Sequence, residues 1–559
     1  MIKLNLPKCF ALFGLILSVN CYANDIDNQV KAAISAKINS SGGASRIMCA
    51  NKLRCSLALT AQQYNQESST ILWSHNGKIL SNADELINIL KGSYKEGLNP
   101  EDYHLTQINQ LIQQIAEVPF MQVPVGQLAD LDTTLTDAFL LYAKHMATGR
   151  VDNLIVYPKW TISKRPVNLT ELLHQATNQQ DGVMRAITSI TPDYHGYTLL
   201  KEQLAKYQKI AINGGWGIVQ PGQALKVGSK GSRVVQLQKR LLITGEYNGE
   251  DHNGTFGKNL KVAIAKFQAN HGIKANGIVD KNTLQALNVP VDQVIKIIEL
   301  NMDRLRWLPL QMSNQYLLVN IPNFSLDVIE SNQSVLDMPV IVGKGANRSC
   351  VLSSKISYIE INPYWSVPDS IARKETLSKM QEDPHYASKE QMNVYYGSYG
   401  SAPIDPLSVN WKKVDPNNMP YKFRQMPGDK NALGHIKFIF PNVCGIYLHD
   451  TPTRNLFGKN RRDFSHGCIR VGKPLDLADY LLSDKPNWDG DRVESQIKSG
   501  KRQIVTLAEP VDVNIVYATA WVNQDNQLQF RNDIYQIDKI DFPVYLPNKN
   551  DSESTNNDE

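Results

Sequence analysis

The sequence contains little of what marks fibrous, disordered or nucleic-acid-binding proteins. Its 559 residues include 34 glycines and 27 prolines, too few for a collagen-like or low-complexity chain. The 59 basic and 54 acidic residues leave a formal charge of +5, and no basic run is longer than a pair such as Arg461-Arg462. Nucleic-acid binders show a basic face or stripe, so no nucleic acid is expected as a partner. With 42% hydrophobic residues the chain can bury several cores, and its length predicts about three or four domains.

Long apolar runs are also missing, apart from a short one at the start. Lys3 and Lys8 precede an uncharged run from Cys9 to Val19, which falls short of the roughly 20 residues that span a bilayer. A basic start, a short apolar core and small residues before a polar segment are typical of a secretory signal. We therefore predict a signal peptide over residues 1–23 and an exported, soluble mature protein.

Changes in residue pattern divide the mature chain. Residues 24–215 carry apolar residues three and four apart, which predicts a helical scaffold domain. Residues 224–289 alternate helical patterns with glycine turns and predict a small three-helix module, followed by a linker helix over 290–315. Over residues 316–508, β-branched and aromatic runs without helical crossovers predict an antiparallel, mostly β domain. Its polar and aromatic residues 369–434 are interpreted as a lid insertion.

Two further segments follow the strand-rich domain. Residues 509–548 form a C-terminal extension, and residues 549–559 are polar enough to predict a disordered tail. The predicted fold class is therefore multidomain α+β, with a helical N-terminal scaffold, a small three-helix module and a mostly β domain that carries a lid.

The residues able to carry chemistry cluster late in the strand-rich domain. Cys468 directly follows Ser465-His466-Gly467, and His449 lies 19 positions before it. A thiol is nucleophilic only as the thiolate, so a reactive cysteine needs a nearby imidazole or cation. The Gly467 and Cys468 amides would form the pair of donors that an oxyanion requires. Arg470 would hold a substrate carboxylate or structure the loop.

The same cluster allows two other interpretations. Cys444, His449, His466 and Cys468 supply the two Cys and two His that suffice for zinc. However, the two cysteines are 24 positions apart, and the gap between His466 and Cys468 is tighter than zinc motifs usually have. A buried, purely structural thiol is the second alternative.

Two segments resemble known families. The three-helix module resembles the peptidoglycan-binding domain type 1 in three pieces: Val234-Val235-Gln236-Leu237-Gln238, Ala263-Ile264-Ala265-Lys266-Phe267-Gln268 and Asn276-Gly277-Ile278-Val279-Asp280. The cysteine cluster resembles the L,D-transpeptidase catalytic domain (the YkuD family), in which a His, about fifteen residues and then Ser/Thr-His-Gly-Cys form the motif. Further matches are Tyr447-Leu448-His449-Asp450-Thr451-Pro452 and Asn362-Pro363-Tyr364-Trp365-Ser366-Val367-Pro368. To about residue 543 the mature chain is similar to the large YcbB-type murein L,D-transpeptidases of Gram-negative bacteria.

The resemblance implies acyl transfer on the stem peptides of peptidoglycan. Cys468 would attack the carbonyl of meso-diaminopimelate, the third residue of a tetrapeptide stem, and release D-alanine. The diaminopimelate amine of a second stem would then open the thioester and give a 3→3 cross-link. His449 would move the proton, His466 and Ser465 would orient the loop, and Tyr447 would support the oxyanion amides. The resemblance implies no metal and no organic cofactor, a periplasmic location, other murein synthases as candidate partners, and carbapenems as inhibitors.

Other functions stay open at this point. Water as the acceptor would make the protein an L,D-carboxypeptidase, and the lysine of an outer-membrane lipoprotein would make it a lipoprotein-to-murein ligase. The three-helix module alone would allow a non-catalytic wall-binding scaffold, although the intact Cys468 and His449 pair argues against it.

The signal peptide contains two of the seven cysteines, so five remain. In an oxidising compartment cysteines tend to pair, and an odd one is left as a free thiol. Because a disulfide would remove the nucleophile, we expect Cys468 to be free. We then expect Cys49 to pair with Cys55, and Cys350 with Cys444 if their Cα atoms lie within about 7 Å. Ser349-Cys350 stands where many relatives carry Thr-Pro, a departure that we expect to concern a strand edge rather than the chemistry.

Overall fold

The computed structural model describes residues 26–38, 60, 62–64, 70–118, 122–150, 165, 167–249 and 254–539. The predicted signal peptide, the predicted Cys49–Cys55 pair and the predicted tail 549–559 lie outside these residues. Within the described ranges, no helix combines the length and the apolar character needed to cross a membrane. Helices dominate the first part of the chain and strands the last part, which confirms the multidomain α+β class.

The N-terminal part is a set of helices packed around an apolar core. Its elements are a hairpin of β1 (Ser74–His75) and β2 (Lys78–Ile79) and the helices α1 (Ser81–Lys91), α2 (Leu105–Glu117), α3 (Val125–Thr148), α4 (Leu169–Asn178), α5 (Gly182–Ile190) and α6 (His195–Ile212); residues 26–38 are also helical. Helix α3 is buried on most sides, as expected of a long helix with few charges. Its Asp132 accepts hydrogen bonds from the backbone N–H groups of Leu72 (3.1 Å) and Trp73 (2.8 Å), which fastens the segment before β1 to the helix.

The next unit has three helices, α7 (Ser232–Thr244), α8 (Lys258–Asn270) and α9 (Lys281–Leu287). Their apolar faces meet in one core. The buried Gln268 fixes the second glycine turn, because its amide accepts from the Gly277 N–H and donates to the Ile278 carbonyl, both at 2.8 Å. Helix α10 (Val291–Leu305) then packs against α6, so the segment predicted as a linker helix is part of a packed core.

The remaining chain contains the main sheet, the lid and the C-terminal hairpin. Its strands are β3 (Gln315–Asn320), β4 (Ser325–Glu330), β5 (Gln333–Gly343), β6 (Leu352–Ile361), β7 (Trp365–Ser366), β8 (Met392–Tyr396), β9 (Tyr421–Gln425), β10 (Ile436–Ile439), β11 (Leu448–His449), β12 (Asp463–Ser465), β13 (Ile469–Val471), β14 (Gln503–Val516), β15 (Ala520–Val522) and β16 (Leu528–Phe530). Its helices are α11 (Asp369–Ile371), α12 (Leu377–Glu382), α13 (Tyr386–Lys389), α14 (Pro474–Leu482) and α15 (Gly490–Lys498).

The main sheet has nine strands in the order β12-β5-β13-β11-β10-β6-β14-β3-β4. A further pairing of β4 with β5 closes the sheet on itself around a large apolar core. The mostly β domain is confirmed, but its sheet is mixed rather than antiparallel as predicted, because β14 runs parallel to β3, β11 to β13 and β12 to β5. Parallel neighbours require a crossover connection. Residues 450–468 connect β11 to β13, and residues 321–502, which include α14 and α15, separate β3 from β14.

The predicted lid, residues 369–434, folds as a small unit beside the main sheet. Its strands β8 and β9 form a three-stranded antiparallel sheet with β7, over a separate apolar core that contains Trp411 and Phe423. The buried Asn431 joins the end of the lid to the segment between β6 and β7, because its side-chain amide donates to the Pro363 carbonyl at 2.9 Å. The hairpin β15–β16 then packs against α6 and α10.

Candidate active site

Cys468 lies in the turn between β12 and β13. The neighbouring strand β11 runs parallel to β13, with Leu448 opposite Ile469 and His449 opposite Arg470. The Ile469 N–H donates to the Tyr447 carbonyl at 3.1 Å, which fixes this register at the cysteine. A separation of 19 positions in the sequence thus becomes a contact between adjacent strands.

A cavity of about 870 Å³ opens beside the cysteine. Six of the seven predicted site residues line it: Tyr447, His449, Ser465, His466, Cys468 and Arg470. The lid contributes another part of the wall, including Glu375 and Arg424. The seventh predicted residue, Gly467, is a buried member of the turn itself. Its backbone φ is +119°, a value at which a residue with a side chain would be strained.

The Cys468 thiol is free and its environment favours the protonated form. Burial raises the pKa of Cys468 above its ordinary value. The backbone N–H and the hydroxyl of Tyr447 act in the opposite direction, as do the positive charges of Lys437 and Arg470. The Tyr447 hydroxyl keeps its proton, because burial raises its pKa well above the usual range. The resting thiol is therefore protonated at neutral pH and needs a base during a reaction.

His449 has the properties of a neutral base. Burial, followed by the positive charge of Arg470, lowers the pKa of His449 to about 3, so the imidazole is uncharged at neutral pH. Its Nδ1 lies 2.5 Å from the Asp450 carbonyl, which accepts only, so Nδ1 carries the proton and Nε2 is the unprotonated nitrogen of the neutral ring. His449 and Cys468 line one cavity without a direct hydrogen bond between them in this structure. Such bonds often tighten when substrate binds.

Ser465 and Gly467 are bonded to each other inside the turn. The Ser465 hydroxyl accepts from the Gly467 N–H at 3.1 Å and donates to the Cys468 carbonyl. The Gly467 amide is thus already engaged, which differs from the expected pair of free oxyanion donors. The Cys468 N–H donates to no acceptor among the described residues, so the turn offers one amide rather than two.

Ser349 supports the same turn from below, and its assignment to a mere strand edge is wrong. The fully buried Ser349 hydroxyl accepts from the Gly343 N–H at 2.9 Å and donates to the Gly467 carbonyl at 2.7 Å. The Ser349 N–H donates to the Tyr535 hydroxyl at 3.2 Å. Position 349 is therefore one hydrogen bond away from Gly467, the residue before the candidate nucleophile.

His466 points away from the protein core, toward the lid. Its Nε2 lies 2.6 Å from a carboxylate oxygen of Glu375, in the π-helical turn Ala372–Thr376. Both side chains are partly exposed. The histidine of the motif thus joins the cysteine turn to the lid, 91 positions away in the sequence.

Comparison with known families covers most of the chain. Residues 314–498 match the family model of the L,D-transpeptidase catalytic domain, residues 230–287 that of a peptidoglycan binding domain, and residues 58–204 that of a scaffold domain. Residues 314–498 are an L,D-transpeptidase catalytic domain. A Haemophilus influenzae protein named as an L,D-transpeptidase is 34% identical over 264 residues, which cover 46% of this chain and 52% of that protein. The chain thus spans about half the length of this curated relative.

Solved structures with the same assignment are more distant. An L,D-transpeptidase from Stackebrandtia nassauensis is 15% identical, with 53% of this chain and 96% of that chain covered and a TM-score of 0.21. One from Xylanimonas cellulosilytica is 16% identical, with 53% and 98% covered and a TM-score of 0.16. These low scores carry no argument about the site.

The L,D-transpeptidase domain also places charged residues at the cavity that the motif does not include. Lys437 on β10 lies opposite both His449 on β11 and Glu360 on β6, and its Nζ is 4.0 Å from the centre of the Tyr447 ring. Arg502 pairs with Glu360. A single charge in the otherwise apolar strand β10 is the local signal that would have identified Lys437 from the sequence. Glu360 has no such signal, because β6 also contains serines and a lysine.

Arg470 is the cation closest in sequence to Cys468. It lines the cavity, and its Nε is buried without a hydrogen-bond partner. Burial lowers the pKa of Arg470, yet a guanidinium stays charged at neutral pH. A buried guanidinium nitrogen without an acceptor is suited to an incoming carboxylate.

A disulfide between Cys350 and Cys444 lies next to the cavity, and it confirms the predicted pairing. The two Cα atoms are 6.6 Å apart, and the bond joins the loop after β5 to the loop after β10. Cys444 is therefore unable to act as a zinc ligand, and the alternative zinc set is broken. No group of metal-ligating side chains occurs within the described residues.

Proposed function

We propose that this protein is a periplasmic L,D-transpeptidase that forms 3→3 meso-diaminopimelate cross-links in peptidoglycan. The observation that carries the proposal is the single free thiol of the described residues, Cys468, which lines one cavity with a neutral imidazole and cationic side chains in a domain that matches this family. The thiol is the nucleophile, and tetrapeptide stems are the acyl donors.

In the first half-reaction the Cys468 sulfur attacks the carbonyl of the third stem residue. His449 takes the thiol proton at Nε2, because Nδ1 already donates to the Asp450 carbonyl. The Cys468 N–H, assisted by the Tyr447 hydroxyl, stabilises the oxyanion. The bond to the D-alanine nitrogen then breaks, His449 returns the proton to that nitrogen, and a thioester and free D-alanine result. Arg470 holds the D-alanine carboxylate.

In the second half-reaction an amine of another stem attacks the thioester. His449 removes a proton from the attacking nitrogen, the carbon–sulfur bond breaks, and the proton returns to the Cys468 sulfur. An amide joins the two stems and the thiol is restored. Because the thiol is protonated and the imidazole neutral at rest, the full cycle starts and ends with the same uncharged pair, and His449 is neutral again when the thioester has formed.

The other parts of the chain fit this activity. The predicted signal peptide would export the enzyme to the periplasm, where peptidoglycan lies. The peptidoglycan binding domain, residues 230–287, would retain it at the wall. Ser465 and His466 position the cysteine turn through the contacts described above. Carbapenems would acylate the same thiol, and other murein synthases are the proposed partners.

The experiment that tests this function is muropeptide analysis by mass spectrometry. We expect the purified protein with tetrapeptide-bearing muropeptides to give 3→3 dimers and D-alanine, and Cys468→Ala to give neither while keeping its circular dichroism spectrum. Tripeptides without dimers would indicate water as the acceptor, and attachment to a supplied lipoprotein would indicate its lysine. Dimers formed by a folded Cys468→Ala protein would overturn the proposal.

A further inference from the structure

Two guanidinium groups approach the same tyrosine ring at the wall of the active-site cavity. Arg424 of the lid strand β9 lies 5.9 Å from the centre of the Tyr364 ring, and Arg502 of the main domain lies 6.0 Å from it. All three residues line the cavity that contains Cys468. The lid and the main domain thus each bring one positive charge near the Tyr364 ring.

The two arginines differ in how their charges are neutralised. Arg502 pairs with Glu360. Arg424 has no carboxylate partner among the described residues. It donates to the Ser366 hydroxyl at 3.3 Å and is held by aromatic rings, 4.3 Å from the centre of Tyr399 and 5.5 Å from that of Tyr395.

A half-buried guanidinium without a carboxylate partner favours an incoming anion at its position. A carboxylate would neutralise Arg424 and accept charge-assisted hydrogen bonds from its planar fork. Because Tyr395 and Tyr399 orient the guanidinium before any ligand arrives, little side-chain entropy would be lost on binding. The geometry therefore fits an acidic ligand group better than a cationic or neutral one.

We propose that Arg424, with Tyr364 and Arg502, forms a carboxylate subsite for the side-chain carboxylate of diaminopimelate in the donor stem. The inference rests on the proposed function and deepens it. The D-alanine carboxylate is adjacent to the scissile bond and belongs with Arg470, which is in the motif strand next to Cys468. The side-chain carboxylate is at the far end of a long side chain and is the feature that lysine lacks in the same position. Arg424 is accordingly a residue that selects diaminopimelate over lysine.

The test measures formation of the Cys468 thioester by intact-protein mass spectrometry, with no acceptor present. The two donors are tetrapeptides that differ in the third residue, diaminopimelate or lysine. We expect wild type to prefer the diaminopimelate donor. For Arg424→Gln we expect kcat/KM with that donor to fall about 10- to 100-fold, mainly through KM, and little change with the lysine donor. Arg424→Lys should recover part of the loss.

A matched control distinguishes the subsite from general effects of removing a stacked arginine. Arg492 on α15 also lies over an aromatic ring, 5.9 Å from the centre of Trp488, but is outside the cavity, and Arg492→Gln should behave as wild type. Equal losses with both donors would overturn the inference and make Arg424 a structural part of the lid. Unchanged kinetics would overturn it as well. Failure of wild type to react with either donor would instead overturn the proposed function, and the subsite with it.

Discussion

The most direct test of how the cysteine turn is held is the replacement Ser349→Ala. The Ser349 hydroxyl is fully buried and bonds two backbone groups, the Gly343 N–H at 2.9 Å and the Gly467 carbonyl at 2.7 Å. The replacement leaves both without this partner. A buried polar group without a partner costs roughly 1–3 kcal/mol, so we expect a loss of about 2–4 kcal/mol in the free energy of unfolding of the catalytic domain.

The loss should appear in both unfolding and chemistry. By differential scanning calorimetry, about 2–4 kcal/mol in a domain of this size lowers the melting temperature by roughly 4–16 °C. Because Gly467 directly precedes the nucleophile, a shift of the turn should slow acylation of Cys468 by a carbapenem on the order of 10- to 100-fold. Iodoacetamide needs no oxyanion geometry, so its reaction with the thiol should change much less.

The control is Ser354→Ala on β6. The Ser354 hydroxyl donates to the Pro441 carbonyl at 2.6 Å in an exposed position, and its loss should change stability by less than about 0.5 kcal/mol. If Ser349→Ala melted and reacted like wild type, the hydrogen bonds beneath the turn would not be what positions the nucleophile, and the reasoning would be refuted.

Three further predictions concern the disulfide, the thiol and the lid. The double replacement Cys350→Ser and Cys444→Ser removes a covalent link between positions 94 apart, and should lower the free energy of unfolding by up to about 4–5 kcal/mol. A reductant should lower the melting temperature of the wild type and leave that of the double variant unchanged. An equal effect of the reductant on both proteins would contradict the prediction. Burial raises the pKa of Cys468, so its rate of alkylation should still be rising with pH at pH 9, whereas a plateau near neutrality would mean a thiolate at rest. Glu375→Gln weakens the contact between the lid and His466, so KM for a tetrapeptide donor should rise a few-fold, which corresponds to about 1 kcal/mol or less. The control is Glu382→Gln at an exposed position of α12. An unchanged KM for Glu375→Gln would show that this contact does not hold the lid.

The sequence alone was informative wherever the signal is local along the chain. The spacing from His449 to Cys468 and the residues around the thiol predict the candidate catalytic cluster, because its members lie within about 20 positions of one another in the sequence. Apolar residues three and four apart identify helices such as α3, since a buried helix face repeats with that period. The pairing of Cys350 with Cys444 followed from exclusion of the nucleophile, provided that the strands would bring the two together.

Contacts that depend on strand register and on the packing of the lid were decided by the tertiary structure. Lys437 reaches the site because β10 pairs with β11 in one register, and a shift by one residue would turn its side chain to the opposite face. Ser349 reaches Gly467 across 118 positions, and Glu375 reaches His466 across 91. Neither pair leaves a periodic trace in the sequence, because each partner belongs to a different loop or lid element. The sequence thus predicted which groups would do the chemistry, and the closed sheet and the lid decided which charges surround them.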